Sequence, residues 1–447
     1  MRYIPHTEQD IQQMLEAIGV SSIRELFQDI PDDLYIQGEL SVPPALDEHA
    51  LFRRLSQLAS LNADATRWVS FLGAGAYDHF IPAVVGAIIS RGEFLSAYTP
   101  YQPEASQGLL QSIFEFQTMV CELTGMEVAN ASMYDASTAL AESALMACQI
   151  TGRSKVVVSQ AVHPHYRQVL RTYLWTNSRQ LVEIPARAGL TDLDALTAAL
   201  DDETACAMVQ YPNFFGAIES LQPVSDAAHR VGALAIACID PIALGVLKPP
   251  GEYDFDIVVG EGQGLGNAMG FGGPMLGLFA CKQAHLRRIP GRIVGQTTDA
   301  EGRRGFVMTL RTREQDIRRE KATSNICTNE ALCALASTVF LASLGKSGFR
   351  ELAETCTQKA HYAAQQLMRI DGVRLKYPDA PFFKEFVLTL PRPADEVCDA
   401  LLQHNIIAGL PLSDYDASMR HDLLVCVTET RTREEIDAFA DALRQVL

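Results

Sequence analysis

Ser137 and Thr138 stand at the head of an Ala-rich stretch, ASTALAESALMA, that reads as an amphipathic helix with Glu142 in its early turns. Unpaired N–H groups and the positive end of the macrodipole converge at such a start, so it can hold a phosphate; residues of this type also serve as plain N-caps. His163 and His165 follow an apolar run, where an imidazole can stack on a flat ring or simply close the loop around Pro164. Asp240 ends another apolar run ahead of Pro241, and a carboxylate there either pairs with a pyridinium nitrogen or caps a turn. Anion cradle, stacking ring and carboxylate, in that order along the chain, are the parts of a pyridoxal phosphate pocket. Such a pocket needs one more group, a lysine past the next strand.

That position falls in DFDIVVGEGQGLGNAMGFGGPMLGLFAC, residues 254–281, where eight glycines lie between Gly260 and Gly277 and no lysine occurs before Lys282. The run Asp256–Val259 leads into the glycines and Leu276–Cys281 follows them, which predicts a glycine loop between two strands. A dinucleotide loop is excluded because G-x-G-x-x-G fails in every register, with Leu265, Asn267 and Met269 at the final position. A P-loop lacks its Gly-Lys-Ser/Thr, and no His or Cys spacing suits a metal.

The elements that must position these groups follow from periodicity. β-branched runs at 155–159, 181–184, 205–210, 233–239 and 257–259 alternate with helical patterns such as 192–200 and 225–231. This βα repeat predicts an α/β fold with a mostly parallel sheet and ligands beyond the carboxyl ends of its strands, at 159–165, 211–213 and 240. Ahead of it, residues 1–65 read as a helical arm. Thr7 caps a helix with Ile11, Met14, Leu15 and Ile18 on one face, Gly19 ends it, Ser21 or Ser22 opens a shorter one, and Pro43–Pro44 enforce an extended link. The large domain spans 66–325. Past it, helices at 329–344 and 351–368, strands at 386–390 and 423–426 and a helix after Arg433 predict a smaller α+β C-terminal domain over 326–447.

The chain has 447 residues, 48% of them hydrophobic, enough to bury more than one core, and a net charge of -17 that argues against general nucleic-acid or anionic-membrane binding. Residues 287–321 reverse that sign with ten Arg/Lys against five Asp/Glu, either a solvated face or a docking patch for an acidic group. Ten cysteines without a CxxC pair, and a polar N-terminus, predict a reduced, cytoplasmic setting; no apolar run is read as a membrane span.

The motifs YIPHTEQDIQQML, FLGAGAYDHFIP, YTPYQPEASQG, NASMYDASTALAE, VHPHYRQVLRTY, LKPPGEYDFDIVVGEGQ, FGGPMLGLFACK and REQDIRREKATSNICTNEAL run in order along nearly the whole chain. On them the chain resembles the first (alpha) subunits of bacterial-type two-subunit glycine dehydrogenase (decarboxylating), the P-protein of the glycine cleavage system. The resemblance implies the fold of type I pyridoxal phosphate transferases and an alpha2beta2 assembly. It implies glycine decarboxylation with aminomethyl transfer to the lipoyl group of H-protein. It further implies that the beta subunit carries the His-Lys pair holding pyridoxal phosphate. Laid on this chain from the shared Asp-x-Val-Val strand, that pair falls on Gln263 and Gly264, neither of which can form a Schiff base. Of eight lysines, Lys248 and Lys282 are nearest and read as surface charges. This subunit is therefore expected to hold no covalent cofactor and to be inactive alone, with Ser137, Thr138, His163 and Asp240 as a vestigial pocket and Tyr98, Thr99 and Tyr101 reaching the partner's site. Ala136 stands where a glycine is usual in the family. Two other readings are a free-standing homodimer with a noncovalent pyridoxal phosphate site and a nonenzymatic scaffold.

Overall fold

The computed structural model describes residues 5–447 apart from 37, 39 and 65. It divides into two compact units, Met1–Ala63 and Asp64–Leu447. The first is helical. Thr7 caps helix Glu8–Ile18 through a reciprocal box with Asp10, and Gly19 ends it at φ 87. Ser22 then opens a 3-10 turn over Ile23–Phe27, and Asp47 caps helix Glu48–Ala59. Leu15 is the one buried apolar side chain among the described residues of this unit, which builds no core of its own.

The second unit is organised by a seven-stranded sheet: β1 Val128–Ala129, β2 Lys155–Ser159, β3 Gln180–Ile184, β4 Thr204–Tyr211, β5 Leu234–Ile239, β6 Ile257–Glu261 and β7 Gly277–Cys281, in the spatial order β1-β7-β6-β5-β4-β2-β3. Pairings from β3 through β6 are parallel, and β7 runs antiparallel to both β6 and β1. Strands β2 and β4 to β7 are buried almost throughout because helices cover both faces, which is why they read as continuous apolar runs without alternation. Two cores result. One packs Val209, Ala237, Val258 and Leu278 against helix Gln107–Thr124 and the N-terminal half of helix Ala331–Leu367; the other packs Val156, Met208, Ile236 and Phe279 against helices Ala136–Thr151 and Pro164–Thr176.

Helix Ala331–Leu367 is long and apolar enough to cross a membrane by length and composition. Its hydropathy serves the interior: Phe340 and Leu341 enter the first core, while Ala360, Ala363 and Leu367 enter a third. Gly345, at φ 59 and ψ -175, breaks it between the two stretches expected as separate helices. The third core lies between that helix, helix Arg433–Val446 and a four-stranded antiparallel sheet containing Glu385–Thr389 and Asp422–Cys426. Strand Val69–Ser70 pairs with Ile406–Ile407 and Phe71 lies in that core, so the start of the second unit is built into its C-terminal portion.

Candidate functional site

His163, Asp240 and Gln263 lie beyond the carboxyl ends of β2, β5 and β6, and Ser137 and Thr138 in the helix after β1, and each is already engaged inside the chain. Helix Ala136–Thr151 is capped by Asp135, whose Oδ1 accepts from Thr138 N at 2.8 Å and from the Ser137 hydroxyl at 2.5 Å. Ser137 and Thr138 thus sit inside the first turn, two and three residues past the cap expected of them. The Ala136 N–H, at the mouth of the helix, donates to Glu261 Oε2 at 3.0 Å. Glu261 ends β6, and its Oε1 accepts from Gln263 N at 3.0 Å and Leu276 N at 2.8 Å. A carboxylate receiving three backbone N–H groups at a helix start occupies the place an anion would take. Burial pushes this carboxyl up to about 8 in spite of those donors.

His163 is buried and committed. Its Nε2 donates to Ala74 O at 2.9 Å and its Nδ1 accepts from His165 N at 3.1 Å, which fixes the neutral tautomer; burial pulls its pKa down to about 4. The flat ring stacked on it belongs to Tyr166, with centroids 4.5 Å apart and an interplanar angle of 20°. His165 is exposed and faces Tyr415 at 5.4 Å.

Asp240 accepts from Ile242 N at 3.1 Å through Oδ1, capping the turn Pro241–Gly245, and pairs through Oδ2 with Lys384 Nζ at 2.8 Å. Lys384 is 1% exposed. Burial opposes its charge most strongly, yet the Asp240 carboxylate together with the Cys426 and Cys356 sulfurs holds the ammonium above its ordinary value. The same ammonium lies 3.0 Å from His79 Nε2 and 3.4 Å from the centroid of the Tyr77 ring. His79 is kept neutral by burial and by that cation. It accepts from Lys384 and donates Nδ1–H to Glu429 at 2.7 Å.

The lysine-equivalent position is equally closed. Gln263 is 2% exposed; its Oε1 accepts from Tyr77 N at 2.8 Å, and its Nε2 donates to Tyr77 O at 3.2 Å and Asn267 O at 2.7 Å. A Cβ on Gly264 would stand 2.9 Å from His79 Cδ2, and one on Gly266, at φ +86, 2.7 Å from Phe340 Cβ. These glycines therefore admit close packing within the chain. Farther along, the loop turns outward, with Phe271 98% exposed beside exposed Met269. Lys248 makes a loose surface pair with Glu252, whereas Lys282 is half-buried and bridges Asp254 and buried Asp256 rather than standing as a surface charge.

The residues present do not fit a pyridoxal phosphate in this chain. The helix N-terminus holds Glu261, the imidazole holds Tyr166, the strand-end carboxylate holds Lys384, and no lysine follows β6. Glu261, Tyr166 and Lys384 were missed by sequence reasoning. Only Lys384 left a legible signal, a lysine inside the apolar run FFKEFVLTL.

The loop expected to reach a partner is split in character. Tyr98 is 88% exposed, whereas Tyr101 is braced beneath the Arg311 and Arg292 guanidinium groups, 4.7 and 5.7 Å from its centroid. Thr99 O accepts from Tyr101 N at 2.9 Å, tightening the turn. Of the basic stretch, Arg292 and Arg313 are drawn inward onto backbone carbonyls, Arg292 to Cys327 O at 2.9 Å and Arg313 to Gly291 O at 3.0 Å, so only part of that charge faces outward.

A family model described as glycine cleavage system P-protein matches residues 1–443. A protein of Desulforamulus reducens named probable glycine dehydrogenase (decarboxylating) subunit 1 is 52% identical over 443 residues, covering 99% of both chains. One of the same name from Geobacillus thermodenitrificans is 55% identical over 443 residues, covering 99% of this chain and 98% of its own. A crystal structure of glycine decarboxylase (P-protein) of the glycine cleavage system, in inhibitor-bound form, is 46% identical and superposes with a TM-score of 0.91 over 100% of both chains. A NifS-like protein, 12% identical with a TM-score of 0.64 over 85% of this chain and 99% of its own, shares the fold alone.

Proposed function

The chain belongs to the glycine cleavage system P-protein family, with the fold of type I pyridoxal phosphate enzymes, and from that premise we propose that it is subunit 1 of a two-subunit glycine decarboxylase. In this reading the second subunit holds pyridoxal phosphate, which supplies the electron sink for glycine decarboxylation. The aminomethyl group then passes to the lipoyl arm of H-protein in an alpha2beta2 assembly. The observation that carries the division of labour is Gln263–Gly264 at the end of β6, buried and hydrogen-bonded to the Tyr77 loop where a cofactor-anchoring lysine would stand.

This chain's own part is to complete the partner's site and the interface. Exposed Tyr98, beside Thr99 and the arginine-braced Tyr101, forms a rigid projection suited to a neighbouring subunit's cleft. Exposed Phe271 and Met269 offer an apolar tip, and the first unit's lack of a core suits an arm that packs on other protein surface. The division into an arm over 1–65, a large domain over 66–325 and a C-terminal domain over 326–447, and a cytoplasmic setting, belong to the same reading.

The test is reconstitution. Purified alone, mixed with pyridoxal phosphate and then freed of unbound cofactor by gel filtration, the chain retains no cofactor absorbance band in the near-ultraviolet to visible range and shows no glycine–bicarbonate exchange; exchange appears on adding the second subunit. Exchange by this chain alone refutes the assignment, and full exchange by the second subunit alone reduces this chain to a scaffold.

A further inference from the structure

Helices Ala136–Thr151 and Pro164–Thr176, together with the segment 320–325, enclose a cavity of about 370 Å³ that none of Ser137, Thr138, His163 or Asp240 lines. Its walls carry charges of both signs that do not neutralise each other. Glu142 is 5% exposed, with the Ser324 hydroxyl beside its carboxyl, and burial pushes that carboxyl up to about 7, as expected of an acid short of a counter-cation. Gln149 donates Nε2 to Thr323 O at 3.1 Å and leaves Oε1 buried without a partner. Arg179 lines the same cavity with its Nε buried and likewise unpartnered.

The chemistry of the walls narrows the guest. A simple anion would answer Arg179 but lie against Glu142 and Glu320, and a simple cation would answer Glu142 but lie against Arg179. A small molecule carrying both charges satisfies both, and the cavity's volume suits one, near the lower end of ligand sites, which begin at about 300 Å³. We propose that this cavity is a binding site for a small α-amino acid zwitterion, its ammonium received by Glu142 and its carboxylate by Arg179.

This inference does not depend on the assignment of the enzyme, because the site is wholly within one chain. Equilibrium dialysis of the full-length chain, free of its partner, against radiolabelled glycine tests it, with acetate and methylamine as single-charge probes and serine as a larger zwitterion. The expected result is saturable binding of glycine, weakened about tenfold or more by Glu142→Gln and by Arg179→Met, with acetate and methylamine each about tenfold weaker than glycine. Circular dichroism checks that the variants fold, and Glu142→Ala and Arg179→Gln replace any that does not. Absence of saturable glycine binding up to ~50 mM, a range that covers affinities weaker than 1 mM, overturns the proposal. So does binding that both variants leave unchanged, or acetate binding as tightly as glycine, which would make the cavity an anion site.

Discussion

Replacing Lys384 by methionine keeps the length and most of the apolar stem while removing the ammonium, and so isolates what that charge does. At 2.8 Å from Asp240 the attraction at an effective dielectric of about 20 is ~6 kcal/mol, offset by the cost of holding both groups away from water. Removing one partner of a buried pair costs more than the net worth of the pair. Here it leaves the Asp240 carboxylate, 12% exposed, without its cation and the His79 Nε2 without a donor, a loss of about 3–5 kcal/mol. For a cooperative unit of the size of Asp64–Leu447, the unfolding entropy is ~0.8 kcal/mol per degree, so the midpoint drops by ~4–6 °C. Differential scanning calorimetry of the wild type, Lys384→Met, Asp240→Asn and the double variant gives the coupling directly. The double variant, with no uncompensated charge, recovers at least ~2 kcal/mol relative to the sum of the singles. A Lys384→Met midpoint within ~1 °C of wild type, or strictly additive singles, refutes the claim that Asp240 is structurally committed.

Glu261 titrates in the opposite sense to an ordinary paired carboxylate. Its folded value is raised from 4.5 to about 8, so between those values the native state keeps a proton the unfolded state has released, and stability falls with rising pH by ~1.4 kcal/mol per unit. Urea titrations at pH 6, 7 and 8 should show Glu261→Gln with a shallower pH slope than wild type by about one proton; equal slopes exclude a buried, proton-holding Glu261. Gln263→Ala orphans the Tyr77 N–H and is expected to cost ~2–4 kcal/mol in the same titrations, and a loss under ~0.5 kcal/mol would show the loop to be held otherwise. Gly264→Lys is expected to gain no cofactor absorbance band, because its Cβ meets His79 Cδ2 at 2.9 Å; appearance of that band counts against a closed site. Tyr98→Ala should leave the melting midpoint within ~1 °C while lowering exchange by the assembled enzyme, and unchanged exchange would remove that loop from the partner's site.

What the sequence disclosed and what it withheld divide along range. β2 is read to the residue, and β3 to β6 within two residues at each end, because a strand buried on both faces announces itself as a β-branched run. The break at Gly345 is read because its left-handed φ has a local cause. Helix Leu221–Arg230 begins four residues ahead of the pattern at 225–231, since Pro223 in its first turn masks the periodicity while costing the helix nothing there. Asp135, Ser137 and Thr138 are all residue types that cap helices, and their sequence alone does not choose among them; the structure selects Asp135. The candidate site was legible as a set of strand ends. Its fillings were not, because Lys384 reaches Asp240 from the C-terminal sheet and Tyr166 reaches His163 by a helical turn whose outcome depends on what else is in the pocket.

The partners of these strand-end groups follow from electrostatics. A pocket shaped for a phosphate and a pyridinium presents a helix N-terminus and a carboxylate, and left empty it would bury unmet N–H groups and an unpaired anion. The chain meets the helix N-terminus with the hydrogen-bonded carboxyl of Glu261 and the Asp240 carboxylate with the Lys384 ammonium. Both answers also fasten the loop from Gly73 to Phe80, through Gln263 on one side and through Glu385, Glu429 and the Lys384–Tyr77 contact on the other. Asp240 and Gln263 thus tie the large sheet to the C-terminal sheet and the loop beside it. Opening the pocket by single substitution should loosen that junction, and the stability losses at Lys384 and Gln263 are two readings of one joint, so the two variants combined should cost less than their sum.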